Sequence, residues 1–167
     1  MFSESARMSS AAEARFRVQA PNSMPRATTV IALDVPSEGV VRRLAETRWN
    51  HATFLTAPTG DAHGTDPPVG GWLVDLAGHR MPLQDEVNVT DHVIMIAAAG
   101  GGAQAASTIG RACSLKRVTT TALVVGTASA SEEDLSATLA QVRPWALMVV
   151  IANNDEYIAD MMTALRV

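Results

Sequence analysis

The sequence predicts an α/β domain with three layers, in which helices cover both faces of a mostly parallel, six-stranded sheet. From residue 28 onward, short apolar runs rich in Val, Ile and Thr alternate with amphipathic stretches. The chain has 167 residues, 47% of them hydrophobic, which suffices for one sizeable core but not for a second full domain. We therefore expect a single α/β domain over residues 27–167.

Residues 1–26 do not fit this pattern. They contain Arg, Ser and two Glu residues and lack the continuous apolar segment of a secretory signal. We expect a flexible N-terminal tail here, and translation starts either at Met1 or at Met24.

The predicted strands are runs of β-branched and other apolar residues. They span residues 28–33, 52–57, 72–76, 93–98, 119–125 and 147–151. Several of these runs show no polar alternation, which indicates strands that are buried on both faces of a parallel sheet.

Helices are predicted after the first, fourth, fifth and sixth of these strands. The first opens at Pro36 and Ser37, with Ser37 as its N-cap, and the second spans residues 103–115. The third starts in a capping box, Ser131 to Asp134, and the last spans residues 155–165. Their apolar stripes are Val40, Val41 and Leu44; Leu135, Leu139 and Val142; and Ile158, Met161, Met162 and Leu165.

Two segments between strands are irregular. Residues 58–71 are dense in Pro, Gly and Asp and are predicted to form an exposed loop, longer than most connections. Residues 78–90 have no clear assignment, although Pro82 argues against a helix that begins before it.

The glycine run Gly100, Gly101 and Gly102 lies between the fourth strand and the helix after it. Backbone without Cβ atoms can turn sharply and bring N–H groups close to an anion at a helix N-terminus. The run therefore predicts an anion or nucleotide pocket, with a tight packing turn as the alternative. Its flank, Ala103, Gln104 and Ser107, would complete the pocket, with polar contacts from Gln104 and Ser107 in the first helical turn.

Other polar residues follow the first and last strands, at the edge where parallel strands end. Asn153 and Asn154 follow the last strand and contact the ligand or cap the closing helix. Asp34 follows the first strand, where it is either a candidate catalytic acid or a solvated loop carboxylate.

The order of these features resembles the nucleotide-binding half of the tubulin/FtsZ family. The matching features, in chain order, are Asp91 before a strand, the glycine run, Glu132 and Glu133 at a helix start, and Asn153-Asn154-Asp155 after the last strand. The resemblance implies a Rossmann-like topology and a nucleotide or small anionic ligand; the identity of any cofactor stays open.

The chain departs from that family where the phosphates would bind. The family's Thr-Gly-Thr-Gly is replaced by residues 103–106, Ala-Gln-Ala-Ala. Its first phosphate loop is replaced by residues 34–39, where Asp34 and Glu38 repel a triphosphate and Pro36 offers no N–H. The sequence ends before the family's central helix and following domain, so we expect no GTP hydrolysis.

Composition argues against several other functions. The net charge is −4, which disfavours nucleic acid and anionic membranes as partners, and no apolar run reaches the length of a membrane span. The single cysteine, Cys113, allows no internal disulfide and is expected in the core of a cytoplasmic protein. The four histidines, His51, His63, His79 and His92, lack the spacing of zinc ligands, so no metal site is predicted.

These observations lead to two hypotheses of function. The first is a degenerate tubulin/FtsZ-like domain that binds a nucleotide or anion, or acts as a scaffold, without hydrolysing GTP. With only 18% charged residues, such a domain is expected to form a homo-oligomer. The alternative is a small cytoplasmic enzyme, or enzyme subunit, that binds an anionic metabolite at the strand ends and uses Asp34 as its acid.

Overall fold

The computed structural model describes residues 26–58, 71–165 and 167. The predicted tail over residues 1–26 and the loop over residues 58–71 therefore lie outside the described residues, apart from their ends. Within the described ranges, seven strands form one sheet. The strands are β1 (Thr28–Ala32), β2 (Ala52–Thr56), β3 (Trp72–Asp75), β4 (Arg80–Pro82), β5 (His92–Ala98), β6 (Thr119–Val125) and β7 (Met148–Ile151).

Five α-helices connect or follow these strands in the described ranges. They are α1 (Val35–Ala45), α2 (Leu83–Val89), α3 (Ala105–Lys116), α4 (Glu132–Val142) and α5 (Asp155–Ala164). A single 3₁₀ turn, Arg143–Trp145, joins α4 to β7. The helix α3 ends where Arg117 adopts a left-handed conformation (φ 58°).

The sheet has the order β4-β3-β2-β1-β5-β6-β7. The five strands β2, β1, β5, β6 and β7 are parallel, while β3 and β4 are antiparallel to their neighbours. Counted alone, the parallel strands follow the order 2-1-3-4-5, which is that of a doubly wound, Rossmann-like sheet. The prediction of an α/β fold with a mostly parallel sheet is confirmed.

The prediction of six strands is wrong because the segment over residues 78–90 contains a seventh. The chain turns back at Gly78 (φ +95°), and β4 pairs with β3 as a hairpin. The Asp75 carboxylate holds this turn by accepting the N–H groups of Ala77 and His79. Directly after the hairpin, α2 begins at Leu83, so Pro82 does mark the start of a helix.

The core consists of two apolar clusters built from alternate residues of the strands. Ile31, Met95 and Val124 belong to one cluster, together with side chains of α2, α3 and α4. The other cluster contains Val30 and Ile94, together with side chains of α1 and α5. Each fully buried large side chain stabilises the fold by about 1.5–3 kcal/mol relative to an exposed one. None of the helices in the described ranges has the length and apolar character needed to cross a membrane.

Candidate functional site

The carboxyl ends of β1 and β5 meet at the point where the strand order reverses. From β1 the chain moves outward to β2 on one side, and it later returns to place β5 on the other side of β1. In open α/β sheets ligands bind in the crevice outside such a reversal. Asp34 follows β1, and the glycine run follows β5, so the structure brings together these two predicted parts of the site.

Asp34 is the N-cap of α1 and is only 4% exposed. Its Oδ1 accepts the Ser37 N–H at 2.8 Å, while its Oδ2 accepts the N–H of Ala98, at the end of β5, at 2.9 Å. The predicted N-cap, Ser37, is wrong by one helical turn. Ser37 occupies the third helical position, where its hydroxyl donates to the Asp34 carbonyl oxygen at 3.0 Å. Both carboxylate oxygens of Asp34 therefore accept backbone N–H groups inside the protein.

The glycine run is shaped around this carboxylate. A Cβ atom at Gly101 would overlap the carboxylate oxygen of Asp34, so only glycine lets the two segments approach. Gly100 has φ +81°, a left-handed conformation that side chains rarely adopt. At Gly102 the neighbour is the flexible end of the Gln104 side chain, 2.6 Å from where a Cβ would lie.

Five of the six N–H groups from Ala98 to Ala103 have acceptors among the described residues. Besides the bond from Ala98 to Asp34, Gly100 donates to Thr138 Oγ1 at 3.0 Å and Ala103 donates to Gln141 Oε1 at 2.8 Å. The N–H groups of Ala99 and Gly101 donate to the carbonyl oxygens of Val125 and Ala98, respectively. Side-chain oxygens of Asp34, Thr138 and Gln141 thus accept N–H groups at and beside the glycine run.

Thr138 and Gln141 were not singled out in the sequence, although both hold the loop. Thr138 is buried, and its hydroxyl donates to the Asp134 carbonyl oxygen within α4. The sequence does contain an indication of this role, because Thr138 adjoins Leu139 on the core-facing side of α4, where a buried polar side chain needs a hydrogen-bond partner.

A cleft of about 450 Å³ opens beside the carboxylate. It is lined by Leu33, Asp34, Val35, Pro36, Pro58, Gly102, Gln104 and Ala105. Among the described residues of this lining, Asp34 alone is charged, and most of the others are apolar. Of the predicted flank, Gln104 is exposed at the cleft, while Ala103 is buried. The Ser107 hydroxyl forms a local hydrogen bond at the start of α3, where it donates to the Gln104 carbonyl oxygen at 3.0 Å.

Asn153 and Asn154 line a different cleft, of about 280 Å³, which shares only Pro36 with the first. Asn154 is the N-cap of α5 and accepts the Tyr157 N–H at 2.8 Å, so the capping alternative holds for this residue. Asn153 accepts a hydrogen bond from the Thr127 hydroxyl at 2.8 Å. The structure does not bring either residue into the cleft beside Asp34.

An ion pair borders this second cleft. Arg43 Nε lies 2.6 Å from Asp155 Oδ2, and this hydrogen bond raises the pKa of Arg43 above its ordinary value. Asp155 therefore belongs to the junction between α1 and α5.

Two other titratable residues that the sequence analysis names, Cys113 and His92, are buried in the protein. Cys113 is buried, and burial raises its thiol pKa to about 11, as expected for a core residue. His92 is buried at the opposite edge of the sheet, where desolvation and then Arg26 lower its pKa. In the residues described, no three His, Cys, Asp or Glu side chains cluster closely enough to hold a metal ion. His63 lies outside the described residues.

Comparison with known proteins gives a weak likeness. No protein-family model matches the sequence, and no curated protein does so significantly. Among solved structures, the chain is similar to translation elongation factor SelB from Methanococcus maripaludis in its apo form, with a TM-score of 0.48 and 8% identity. The alignment covers 85% of this chain and 36% of SelB, so the chain spans about a third of that protein's length. The tubulin/FtsZ resemblance gains no support from these comparisons.

Proposed function

We propose that this chain is a degenerate nucleotide-binding-type domain, of the minimal tubulin/FtsZ kind, that acts by binding or scaffolding and does not hydrolyse GTP. One observation carries the proposal. The buried carboxylate of Asp34 accepts N–H groups both from the start of α1 and from the end of β5. Those groups would otherwise be available to a phosphate.

A phosphate at this position would meet the carboxylate directly. Two unit negative charges about 4 Å apart repel each other by about 4 kcal/mol at an effective dielectric constant of about 20. Within the part of the chain that the structure describes, the cleft lining contains no Lys or Arg to offset that repulsion. Binding a triphosphate here would also mean displacing Asp34 from two hydrogen bonds, so nucleotide hydrolysis at this site is disfavoured.

The cleft beside Asp34 can still hold a small molecule. Its volume of about 450 Å³ falls within the usual range for ligand pockets, and Leu33, Val35 and Pro36 give it apolar walls. Gln104, at its edge, supplies a side-chain amide for orientation. The ligand class that fits these properties is small, partly apolar and without negative charge.

The alternative function is an enzyme that uses Asp34 as its acid. The contact of Asp34 with the cleft favours it, but a general acid or base must reach the proton that it transfers. Both oxygens of Asp34 are already engaged by backbone N–H groups. The Asp34→Asn variant distinguishes the two functions. Loss of a catalytic activity while the fold stays intact would favour the enzyme.

The experiment that tests the proposal is a thermal-shift panel on the full chain with GTP, GDP, ATP, NAD, coenzyme A, phosphate and formate, each with and without magnesium. We expect no shift for the wild type with any of them. For an Asp34→Gly variant, formate or phosphate at about ten times its Kd is expected to raise the melting temperature by about 3–6 °C, because the added anion replaces the missing carboxylate.

Two results would count against the proposal. A rise of roughly 5–10 °C in the melting temperature of the wild type with a nucleotide would mean that the site still binds phosphate. An Asp34→Gly variant that folds but does not respond to formate would mean that the carboxylate does not stand in for an anion. Glu133→Gly is the matched control, because Glu133 is an exposed acid in the first turn of α4.

A further inference from the structure

The strand β7 ends the sheet, and its outer side pairs with no strand among the described residues. The residues of this edge, 147–151, read Leu-Met-Val-Val-Ile and contain neither a charge nor a proline. Exposed edge strands usually carry a Lys, a Pro or a bulge that prevents pairing with another chain. We call residues 147–151 the β7 edge.

Exposed apolar side chains are concentrated at this edge. Leu147 is 82% exposed, and Met148 and Ile151 are exposed as well. The other large exposed hydrophobic residues of the described ranges are scattered over the helices: Val35, Val89, Leu115 and Tyr157. An apolar strand with unpaired backbone groups on one side can be stabilised by a strand from a partner.

We propose that a second copy of this chain docks antiparallel along the β7 edge, so that two seven-stranded sheets join into one continuous sheet. The edge is self-complementary, as a two-fold interface requires. With the axis at Val149, Leu147 lies opposite Ile151 of the partner subunit, and Met148 lies opposite Val150 of the partner subunit. Every cross-strand pair is then apolar.

Charge favours the antiparallel arrangement. Where β7 begins, at the basic edge of the sheet, the ends of α3 and α4 place Lys116, Arg117 and Arg143. Where β7 ends, at the acidic edge, the start of α4 places Glu132, Glu133 and Asp134, and α3 and α4 cover the same face of the sheet. An antiparallel pair sets the basic edge of each copy against the acidic edge of the other, whereas a parallel pair sets like charges together.

A groove lies beside the β7 edge and could accommodate side chains of the second copy. It has a volume of about 450 Å³ and lies at the basic edge, where Arg117, Trp145 and Leu147 contribute to its walls. The two-fold axis between antiparallel edge strands is perpendicular to the sheet, so the partner subunit's α4, whose first turn is acidic, lies on the same face of the joined sheet as this groove.

The test is sedimentation velocity with light scattering on the full chain. The wild type is expected to show twice the chain mass of 17.6 kDa. Leu147→Glu is expected to raise the dimer dissociation constant about tenfold, because the change occurs twice in a two-fold interface and faces the partner subunit's acidic edge. Leu115→Glu is the matched control, because Leu115 has the same 82% exposure on α3, and it is expected to have no effect.

A paired substitution tests the register. Leu147→Glu and Ile151→Lys should each weaken the dimer, and a chain that carries both should regain it, because opposite charges then face each other across the axis. A Val149→Cys chain should cross-link to itself on oxidation, whereas Leu115→Cys should not.

Three results would overturn the proposal: a wild type that is monomeric throughout the micromolar range, a dimer that Leu147→Glu and Leu115→Glu affect equally, or failure of the paired substitution to restore association. A monomer whose β7 amides resist hydrogen exchange would show that another segment of the chain covers this edge, and it would overturn the proposal as well.

Discussion

Removing the Asp34 carboxylate should destabilise the domain strongly. In Asp34→Ala the Ser37 N–H loses its cap, which costs about 1 kcal/mol, and the Ala98 N–H loses a charge-assisted bond, which costs about 2 kcal/mol. We therefore expect the free energy of unfolding to fall by about 3 kcal/mol. At a denaturant dependence of about 2 kcal/mol per molar urea, the unfolding midpoint falls by about 1.5 M.

The assay is equilibrium urea unfolding followed by far-UV circular dichroism, with the slope compared between variants. Asp34→Asn should lose about 2 kcal/mol, because Asn still caps α1 but turns its NH₂ group toward the Ala98 N–H and so loses that hydrogen bond. Glu133→Ala, at an exposed position in the first turn of α4, should lose less than about 1 kcal/mol. If Asp34→Ala were as stable as the wild type, the carboxylate would not be a structural anchor, and the reasoning would fail.

Three further predictions concern packing, pH and thiol reactivity. Gly110→Ala should destabilise by about 1–3 kcal/mol, because a Cβ there would lie 2.5 Å from the Trp145 Cβ, and urea unfolding measures this. His92 has a lowered pKa in the folded state, so the unfolded state binds its proton first. The free energy of unfolding should therefore fall as the pH drops below the ordinary histidine value of 6.5. In a series of unfolding curves at different pH, the His92→Gln variant should show a weaker decline than the wild type, whereas the control His51→Gln, at an exposed position, should decline as the wild type does. Cys113 should react with a thiol reagent at pH 8 only as fast as the domain opens, and quickly in urea, because burial raises its pKa to about 11.

The sequence predicts the central strands well because their burial is encoded locally. The runs that became β1, β5 and β6 are apolar on both faces, which only a central strand tolerates. The short β4 escaped prediction because three residues, Arg80 to Pro82, are too few for any periodicity. Its place in the sheet comes from the turn at Gly78 and from pairing with β3.

The first helix shows how capping depends on contacts that the sequence does not display. Asp34 and Ser37 are both good N-cap residues, separated by one turn, and Pro36 is compatible with either start. Asp34 is the cap in the structure, and its second oxygen is fixed by the Ala98 N–H, 64 positions away in the chain. The strand ends predict that Asp34 and the glycine run lie at the same edge of the sheet, but only the structure shows that Asp34 accepts a hydrogen bond from the strand beside it.

The same bond changes what the glycine run means. Glycines at the end of a strand indicate that something approaches the backbone closely, and in a nucleotide-binding loop that neighbour is a phosphate oxygen. Here the neighbour of Gly101 is the carboxylate of Asp34, which covalent attachment holds in place whatever the ligand concentration. At Gly101 the packing against Asp34 is by itself sufficient to require glycine, because any Cβ there would overlap the carboxylate. Under the function proposed above, a free anion would have to displace that carboxylate and bear its repulsion, so the residue at the end of the neighbouring strand, an acid in this chain, determines whether the loop can bind a phosphate.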